Sequence, residues 1–474
     1  SYHTKDRRFD RYMQWVSFQP ILRRIYGCSF LPHHDYGKGG RGWRDLWQDC
    51  LALLLMNPDG VREMLLNNFQ GVRIDGTNAT IIGSKEGTFI ADRNQITRVW
   101  MDHGVWPFVT TKLYIDQTGD LAVLEEEIPY FKDQQAGRGT KKDAAWKEQD
   151  GCWQRDAAGN VYRGSVLEHL LLQNLTAFYE VGEHIRLRGA DWNDALDMAG
   201  ERGESVAFTN AYAGNLRELA ELLALYAEKT GKESVPLNRD LFVLLADDDT
   251  LYASVQKKQE LLTRYTDACI HEVSGQKTEV SITELVRSLQ KKAAFLTGHI
   301  RATEWVTDEE GNGWFNGYYD NHGRCVEGVF AQGVRMMLTS QVFAVMAQTA
   351  TDEQVAEIVR SADKYLYCDA MGGYRLNTDF GEVKMDLGRM FGFAYGEKEN
   401  GAVFSHMAVM FANALYKRGF VKEGHRALNA LYRQSVHFET SRIYPGIPEY
   451  FNSRGKGMYH YLTGAASWYM LTVI

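Results

Sequence analysis

Asn215-Leu216-Arg217-Glu218-Leu219-Ala220-Glu221-Leu222-Leu223-Ala224-Leu225-Tyr226 carries the periodicity that decides the fold class. Leu216, Leu219, Leu223 and Tyr226 recur at three- and four-residue steps and share one stripe of a helix, while Arg217, Glu218 and Glu221 lie elsewhere on it. The pattern returns along the whole chain. A second helix runs through Val166, Leu170, Leu171, Asn174 and Phe178, and others are read near residues 46–56, 282–296, 329–348, 354–365, 403–418 and 423–436. Strand-like pieces at 72–74, 80–82 and 373–376 are short and sit between helices. Glycine-rich connections at 37–42, 137–139, 311–317, 396–401 and 446–457 predict a ring of helices with long loops gathered at one mouth, where chemistry usually resides. No low-complexity linker divides the chain. The expected organisation is a lead-in linker helix within residues 1–35 and one mainly α catalytic unit over 36–474.

A chain of 474 residues would contain about three domains of ordinary size, but helical toroids form one large unit and escape that rule. The formal net charge is -8 with no basic block, which excludes a backbone-binding nucleic-acid protein. The longest aliphatic run, 51–56, is far below the roughly 20 residues of a membrane span. No basic-then-apolar leader is present, and the chain opens at Ser1 rather than Met. A soluble, cytoplasmic protein trimmed from a longer one is expected. Cys28, Cys50, Cys152, Cys269, Cys325 and Cys368 are scattered without a CxxC pair, which argues against a zinc site or a disulfide framework and predicts unpaired thiols in a reducing compartment. With 11 Trp and 25 Tyr against only 8 Pro, the composition suits helices and flat faces for packing or for stacking on sugar rings.

Four clusters could carry chemistry. Arg188-Gly189-Ala190-Asp191-Trp192-Asn193-Asp194 packs two acids, an amide and an indole together. A carboxylic acid buried beside an indole keeps its proton and can donate it, whereas a structural reading makes the same residues a helix cap. Gly39-Gly40-Arg41-Gly42-Trp43-Arg44-Asp45-Leu46-Trp47-Gln48-Asp49 offers close backbone approach, two guanidinium forks and an acceptor for sugar hydroxyls, or else an Arg–Asp pair at a helix start. The third cluster is Glu397-Lys398-Glu399-Asn400-Gly401 with His406, a histidine that by itself reads as structural. The fourth is Pro445-Gly446-Ile447-Pro448-Glu449-Tyr450-Phe451-Asn452, followed by Leu462-Thr463-Gly464-Ala465-Ala466-Ser467-Trp468, where Thr463-Gly464 before a helix suggests an anion seat. Asp102-His103 is a weaker candidate for a ligand contact. Walker loops, dinucleotide fingerprints, histidine-rich metal spacings and Gly-x-Ser-x-Gly elbows are missing.

Taken in this order, the clusters resemble those of glycoside hydrolase family 94, the inverting phosphorylases. Arg44-Asp45-x-x-Gln48-Asp49 is similar to the family's Arg-Asp motif, and Gly189-Ala190-Asp191-Trp192-Asn193-Asp194 to its Gly-Asp-Trp-Asn-Asp-Gly motif. Glu399-Asn400-Gly401 with His406 resembles its Glu-Asn-Gly-Gly…His motif, and Leu462-Thr463-Gly464-x-Ala466-x-Trp468 its Thr-Gly motif. Asp102-His103-Gly104-Val105-Trp106 matches the family's Asp-Asp-His-Leu-Trp in part, with Met101 in place of the first acid.

The resemblance implies an (α/α)6 barrel without the family's flanking β-sandwich. It also implies an enzyme of the hexosyltransferase kind that cleaves β-linked gluco-oligosaccharides with phosphate to give α-glucose 1-phosphate. Asp194 would be the general acid. Arg44, Asp45, Trp192, Asp102, His103, Glu399 and Tyr450 would contact sugar, and Arg41, His406, Thr463 and Gly464 would hold phosphate, with Lys38 as a substitute for Arg41. No metal or organic cofactor is implied, since inorganic phosphate is a co-substrate. Partners would be the oligosaccharide, phosphate, and a second copy or the missing upstream part, with neither nucleic acid nor membrane. The forms of Pro445-Gly446-Ile447-Pro448-Glu449-Tyr450-Phe451 and Arg44-Asp45-Leu46-Trp47-Gln48-Asp49 look nearer the β-1,2-glucan branch than the cellobiose branch. Two alternatives stand beside this reading. One is an endo-β-1,2-glucanase drawing its base from Asp102, Glu399 or Glu449, and the other is an inactive carbohydrate-binding relative.

Overall fold

Helices alternate between an outer and an inner layer along the chain. The outer ones are α1 (Arg7–Tyr26), α3 (Val61–Phe69), α5 (Val166–Tyr179), α7 (Ile282–Thr303), α9 (Asp352–Tyr365) and α11 (Val421–Val436), and the inner ones are α2 (Trp43–Met56), α4 (Trp106–Thr118), α6 (Val206–Thr230), α8 (Leu338–Met346), α10 (Ser405–Lys417) and α12 (Ala465–Val473). Each inner helix packs on the next, and α12 returns to α2, so the inner layer closes on itself. Leu51, Val109, Ala211, Phe343, Lys417 and Leu471, one from each inner helix, line a single axial cavity of about 320 Å³. The protein is an (α/α)6 barrel. This computed structural model describes residues 2–26, 40–83, 85–91, 98–460 and 463–474; Cys28, Lys38, Gly39 and Leu462 lie outside the described residues.

Local chemistry explains why the helices begin and end where they do. In α6 the Ser205 hydroxyl accepts from the Phe208 amide, and Gly231, with φ of 71°, turns the chain out of the helix. Its stripe of Leu216, Leu219, Leu223 and Tyr226 is buried, and sealing each such side chain contributes about 1.5–3 kcal/mol. Every residue of α5 is buried although the helix is in the outer layer, because Val255–Ala268, in the excursion between α6 and α7, packs over it. That matches an apolar run with little polar face.

One expectation is corrected. Residues 329–335 are not helical: Gly328–Phe330 and Gly333–Arg335 form a hairpin, and α8 starts only at Leu338. Gly328 and Gly333 take φ of 145° and 124°, conformations that break the helical period leading into α8. The lead-in helix read within residues 1–35 is α1, which lies against α12 and α2. The short strand pieces are present as minor pairings, among them Ile81–Gly83 with Gly40–Gly42 and Gly373–Tyr374 with Tyr367–Cys368. Among the described residues no helix is long and apolar enough to cross a membrane. The cysteines described, Cys50, Cys152, Cys269, Cys325 and Cys368, are free thiols.

Candidate active site

Every loop that runs from an outer helix to an inner one delivers its residues to the amino end of the inner helix. Arg44 and Asp45 occupy the first turn of α2, Asp102 and His103 precede α4, Asp191–Asp194 lies in the loop before α6, Glu399–His406 leads into α10, and Thr463-Gly464 precedes α12. Convergent helix amino ends bring partial positive charge and unpaired N–H groups, which favour carboxylates and anions.

Arg44 is the centre of this assembly. Its Nε and Nη2 grip both oxygens of Asp102, Nη2 also donates to the Asp191 carbonyl at 2.8 Å, and Nη1 donates to Asp194 Oδ1 at 2.6 Å. Asp102 has no exposed surface, and Trp106 Nε1 donates to its Oδ2 at 2.7 Å. Burial alone would raise the Asp102 carboxyl, but Arg44 and Trp106 hold it below the usual carboxylate value. Asp194 shares the same arginine but leaves 46% of its side chain open to the mouth. Even so, protein surrounds it closely enough that burial, helped by Asp102 and Asp45, raises its carboxyl against the pull of Arg44. Asp191 turns inward instead, accepting from the Asn193 amide and from Ser205 Oγ, both at 2.9 Å, and burial pushes it up to about 7. Its carboxylate shapes the turn that presents Asp194.

A polar chain runs along the floor. Trp192 Nε1 donates to His406 Nδ1 at 3.2 Å, His406 Nε2 meets Gln48 Oε1 at 2.9 Å, and Trp468 Nε1 donates to the same Gln48 oxygen at 2.6 Å. The network assigns the His406 proton to Nε2. Burial, with Arg23 and Arg44 nearby, pushes His406 down to about 3, so it is neutral. Behind it, a Cβ placed on Gly464 would stand 3.2 Å from His406 Cε1 and 3.7 Å from Arg23 Nη1. Arg23 reaches this corner from α1 and is ion-paired to Asp45 at 3.0 Å and to Asp49 at 2.8 Å. Thr463 Oγ1 accepts from the Ala465 amide at 3.2 Å and fixes the start of α12.

The remaining wall is acidic. Glu399 Oε2 is buried with no hydrogen-bond partner among the described residues, and burial with Asp194 nearby raises this carboxyl. Glu449 lies on the strand Pro448–Phe451, and burial, with Glu399 as its chief charged neighbour, pushes it up to about 8.

Several expected contacts are relocated. Asp102 is expected to touch sugar, but both its oxygens are filled by Arg44 and Trp106 and it is sealed, so it acts through Arg44. His103 is likewise buried, its Nδ1 3.1 Å from Asn78 Nδ2, and burial pushes it to about 3; it is part of the wall. Tyr450 is buried, stacked on Phe404 at 5.9 Å and edge-on to Tyr459 at 5.7 Å. Phe404 in turn meets Trp192 edge-on at 5.3 Å, so Tyr450 supports Trp192, and its strand neighbour Glu449 is the residue that feels the site's carboxylates. Both His406 nitrogens are committed to protein partners, which leaves none for an anion in this arrangement. Arg41 donates to the Arg24 carbonyl, and among the described residues no hydrogen bond or ion pair joins it to His406, Thr463 or Gly464. Arg44, Asp45, Trp192, Asp194, Glu399, Thr463 and Gly464 do come together. Sequence reasoning missed Arg23 and the role of Gln48 as the link between two motifs, and it named Glu449 only as a base for the rival glucanase. Gln48 and Glu449 carried a signal, since each already stood inside a quoted motif.

A family model described as the glycosyl hydrolase 94 superfamily, catalytic domain, matches residues 2–141 and 271–474. The interval between holds Asp191–Asp194, whose tie to the matched part is the Arg44 bond given above. Solabiose phosphorylase of Paenibacillus borealis is 24% identical over 397 residues, covering 83% of this chain and 38% of that protein. Cyclic beta-(1,2)-glucan synthase NdvB of Rhizobium meliloti is 28% identical over 225 residues, 45% of this chain and 7% of that one. N,N'-diacetylchitobiose phosphorylase of Vibrio proteolyticus is 23% identical over 393 residues, 78% of this chain and 38% of its own. The chain thus spans less than half the length of these relatives. Among solved structures, GH63 mannosylglycerate hydrolase from Thermus thermophilus in complex with glucose superimposes with a TM-score of 0.52 at 10% identity, covering 96% of this chain and 100% of that one. An uncharacterized conserved protein from the same organism gives a TM-score of 0.54 at 10% identity, covering 97% and 100%. At such identity the likeness speaks to the fold alone.

Proposed function

The chain belongs to the glycosyl hydrolase 94 superfamily, and from that premise we propose that it is an inverting glycoside phosphorylase, acting on β-linked gluco-oligosaccharides and on β-1,2 linkages first. The observation that carries this reading is the half-open Asp194 carboxyl, held by Arg44 and raised by its surroundings, in the same site as the corner of Arg23, Thr463, Gly464 and the amino end of α12. Asp194 gives its proton to the glycosidic oxygen as the bond to the anomeric carbon breaks. A phosphate oxygen attacks that carbon from the opposite face and forms the new C–O bond, so a β-glucoside yields α-glucose 1-phosphate and a shortened sugar. An inverting hydrolase needs a second carboxylate to activate water, whereas phosphate arrives already anionic and needs donors to seat it. The Thr463 hydroxyl and the Gly464 amide, with the charge of Arg23 behind them, supply that seat, while His406 holds Trp192 in place. Asp45, Trp192 and Glu399 bind the sugar. No step calls for a metal or organic cofactor. The β-1,2 preference draws on the similarity to the cyclic beta-(1,2)-glucan synthase and on the Pro445–Phe451 stretch.

Glu449 favours one rival, since a site carboxyl pushed up to about 8 could serve a hydrolase as base. The test is release of glucose 1-phosphate from β-1,2-gluco-oligosaccharides and from cellobiose, with and without phosphate, alongside Asp194→Asn. Phosphate-dependent glucose 1-phosphate that disappears in the variant supports the proposal. Equal release of reducing sugar without phosphate favours the glucanase.

A further inference from the structure

We propose that Trp100, together with Arg98, is a positioning residue for Asp194, clamping the acid-bearing loop by stacking two arginines on one indole. The inference rests on the reading of Asp194 as the general acid. Arg44 lies over the Trp100 ring with its guanidinium carbon 5.5 Å from the centroid, and Arg98 lies over it at 4.7 Å. Each arginine then reaches the loop before α6, Arg44 to Asp194 at 2.6 Å and Arg98 to Asp197 at 3.5 Å. The result is a closed circuit, Asp194–Arg44–Trp100–Arg98–Asp197, completed by the peptide links from Asp194 to Asp197.

The backbone seals the same clamp. Trp100 bridges both Arg188 and Ala190, the Gly189 amide donates to the Val99 carbonyl at 2.9 Å, and the Met101 amide donates to the Ala190 carbonyl at 2.9 Å. Gly189 makes room for it, since a Cβ there would stand 2.8 Å from Arg98 Cγ. The indole also stacks on His103, with centroids 5.8 Å apart and planes 24° apart. With two guanidinium groups and an imidazole packed over it, the ring does not serve as a sugar platform. Its Nε1 is buried without a hydrogen-bond partner among the described residues, so packing rather than hydrogen bonding explains the indole. Cation–π contact with partly desolvated arginines is attractive, and it backs the plane of Arg44 that its hydrogen bonds to Asp102, Asp191 and Asp194 set.

The experiment uses the full chain as Trp100→Leu, Trp100→Phe and Arg98→Gln. In Trp100→Leu, kcat for phosphorolysis falls about tenfold or more with KM for phosphate little changed, because small misplacements of a reacting group are costly. Trp100→Phe, which keeps an aromatic face, restores most of it. Arg98→Gln moves in the same direction by less, since Arg389 also pairs with Asp197. On β-glucosyl fluoride, whose leaving group needs no proton, Trp100→Leu matches the unaltered chain. An equal loss on both substrates overturns the proposal. A readout independent of turnover is the carboxyl titration of Asp194 by carbon-13 NMR of aspartate-labelled protein, assigned with Asp194→Asn. Loosening Arg44 shifts the Asp194 titration to higher pH in Trp100→Leu, and an unchanged titration overturns the proposal. If the unaltered chain shows no phosphate-dependent turnover, the phosphorylase reading fails while the titration still decides the role of Trp100.

Discussion

The loops that lead into α4 and α6 each bring an aspartate to the same guanidinium, yet Arg44 makes different groups of them. Asp102 is sealed, held through both oxygens and kept below the ordinary carboxylate value. Asp194 is bound through one oxygen, half open and raised. Identical side chains hydrogen-bonded to one cation therefore divide into a sealed anchor and an open carboxyl according to how many acceptor sites the protein has filled and whether water can reach the rest. Proximity to Arg44 is not itself evidence of a catalytic role.

The largest effect should come from Asp194→Asn, which removes the transferable proton and lowers turnover by about 10²–10⁴-fold, while the denaturant midpoint stays close to that of the unaltered chain. Should both fall together, Asp194 would be an anchor too and the contrast would collapse. Asp102→Ala is the mirror case. It leaves Arg44 short of a buried partner and destabilises the fold by about 3–5 kcal/mol in urea titrations. The pH dependence sharpens it: a carboxyl held low in the folded state contributes stability that is present above its unfolded value and is lost as pH falls through the folded one. The gap between Asp102→Ala and the unaltered chain therefore narrows below about pH 4, whereas a gap that widens in acid contradicts the anchor role. The same division is expected on a finer scale at the strand Pro448–Phe451. Glu449→Gln lowers kcat/KM by about tenfold, the order of one lost hydrogen bond. Tyr450→Phe keeps the ring that supports Phe404 and changes kcat/KM less than about twofold, a pair of values read directly from initial-rate assays.

The helical ring was legible because its signal is local and repeated, as in the stripe of α6 and the alternation of apolar runs with glycine-rich loops. The residues gathered at the mouth were legible as short motifs, since Arg44-Asp45 and Thr463-Gly464 each sit where a helix begins and Asp191–Asp194 concentrates two acids, an amide and an indole in one loop. What stayed hidden depends on direction in space. Glu449 and Tyr450 are neighbours in sequence, and which of them meets the site depends on how a short strand lies against Phe404. Arg23 carries no local mark at all, because its importance comes from α1 lying against α2. The hairpin at Gly328–Arg335 reads as helix in the sequence because its apolar residues continue the period of α8, while the two glycines with positive φ break it.

The seam where α12 meets α1 and α2 carries one more consequence. Gln19 bonds Ile447 across 428 positions of sequence, and Gln48 receives Trp468 across 420 and His406 across 358. Contacts between such distant segments form late, because the intervening chain must first be ordered. The floor beneath Trp192 thus exists only once the final helix has docked. A molecule in which α12 has not docked would hold Arg44, Asp102 and Asp194 without the corner proposed to seat phosphate. On the proposed reading, competence therefore depends on the docking of the last helix.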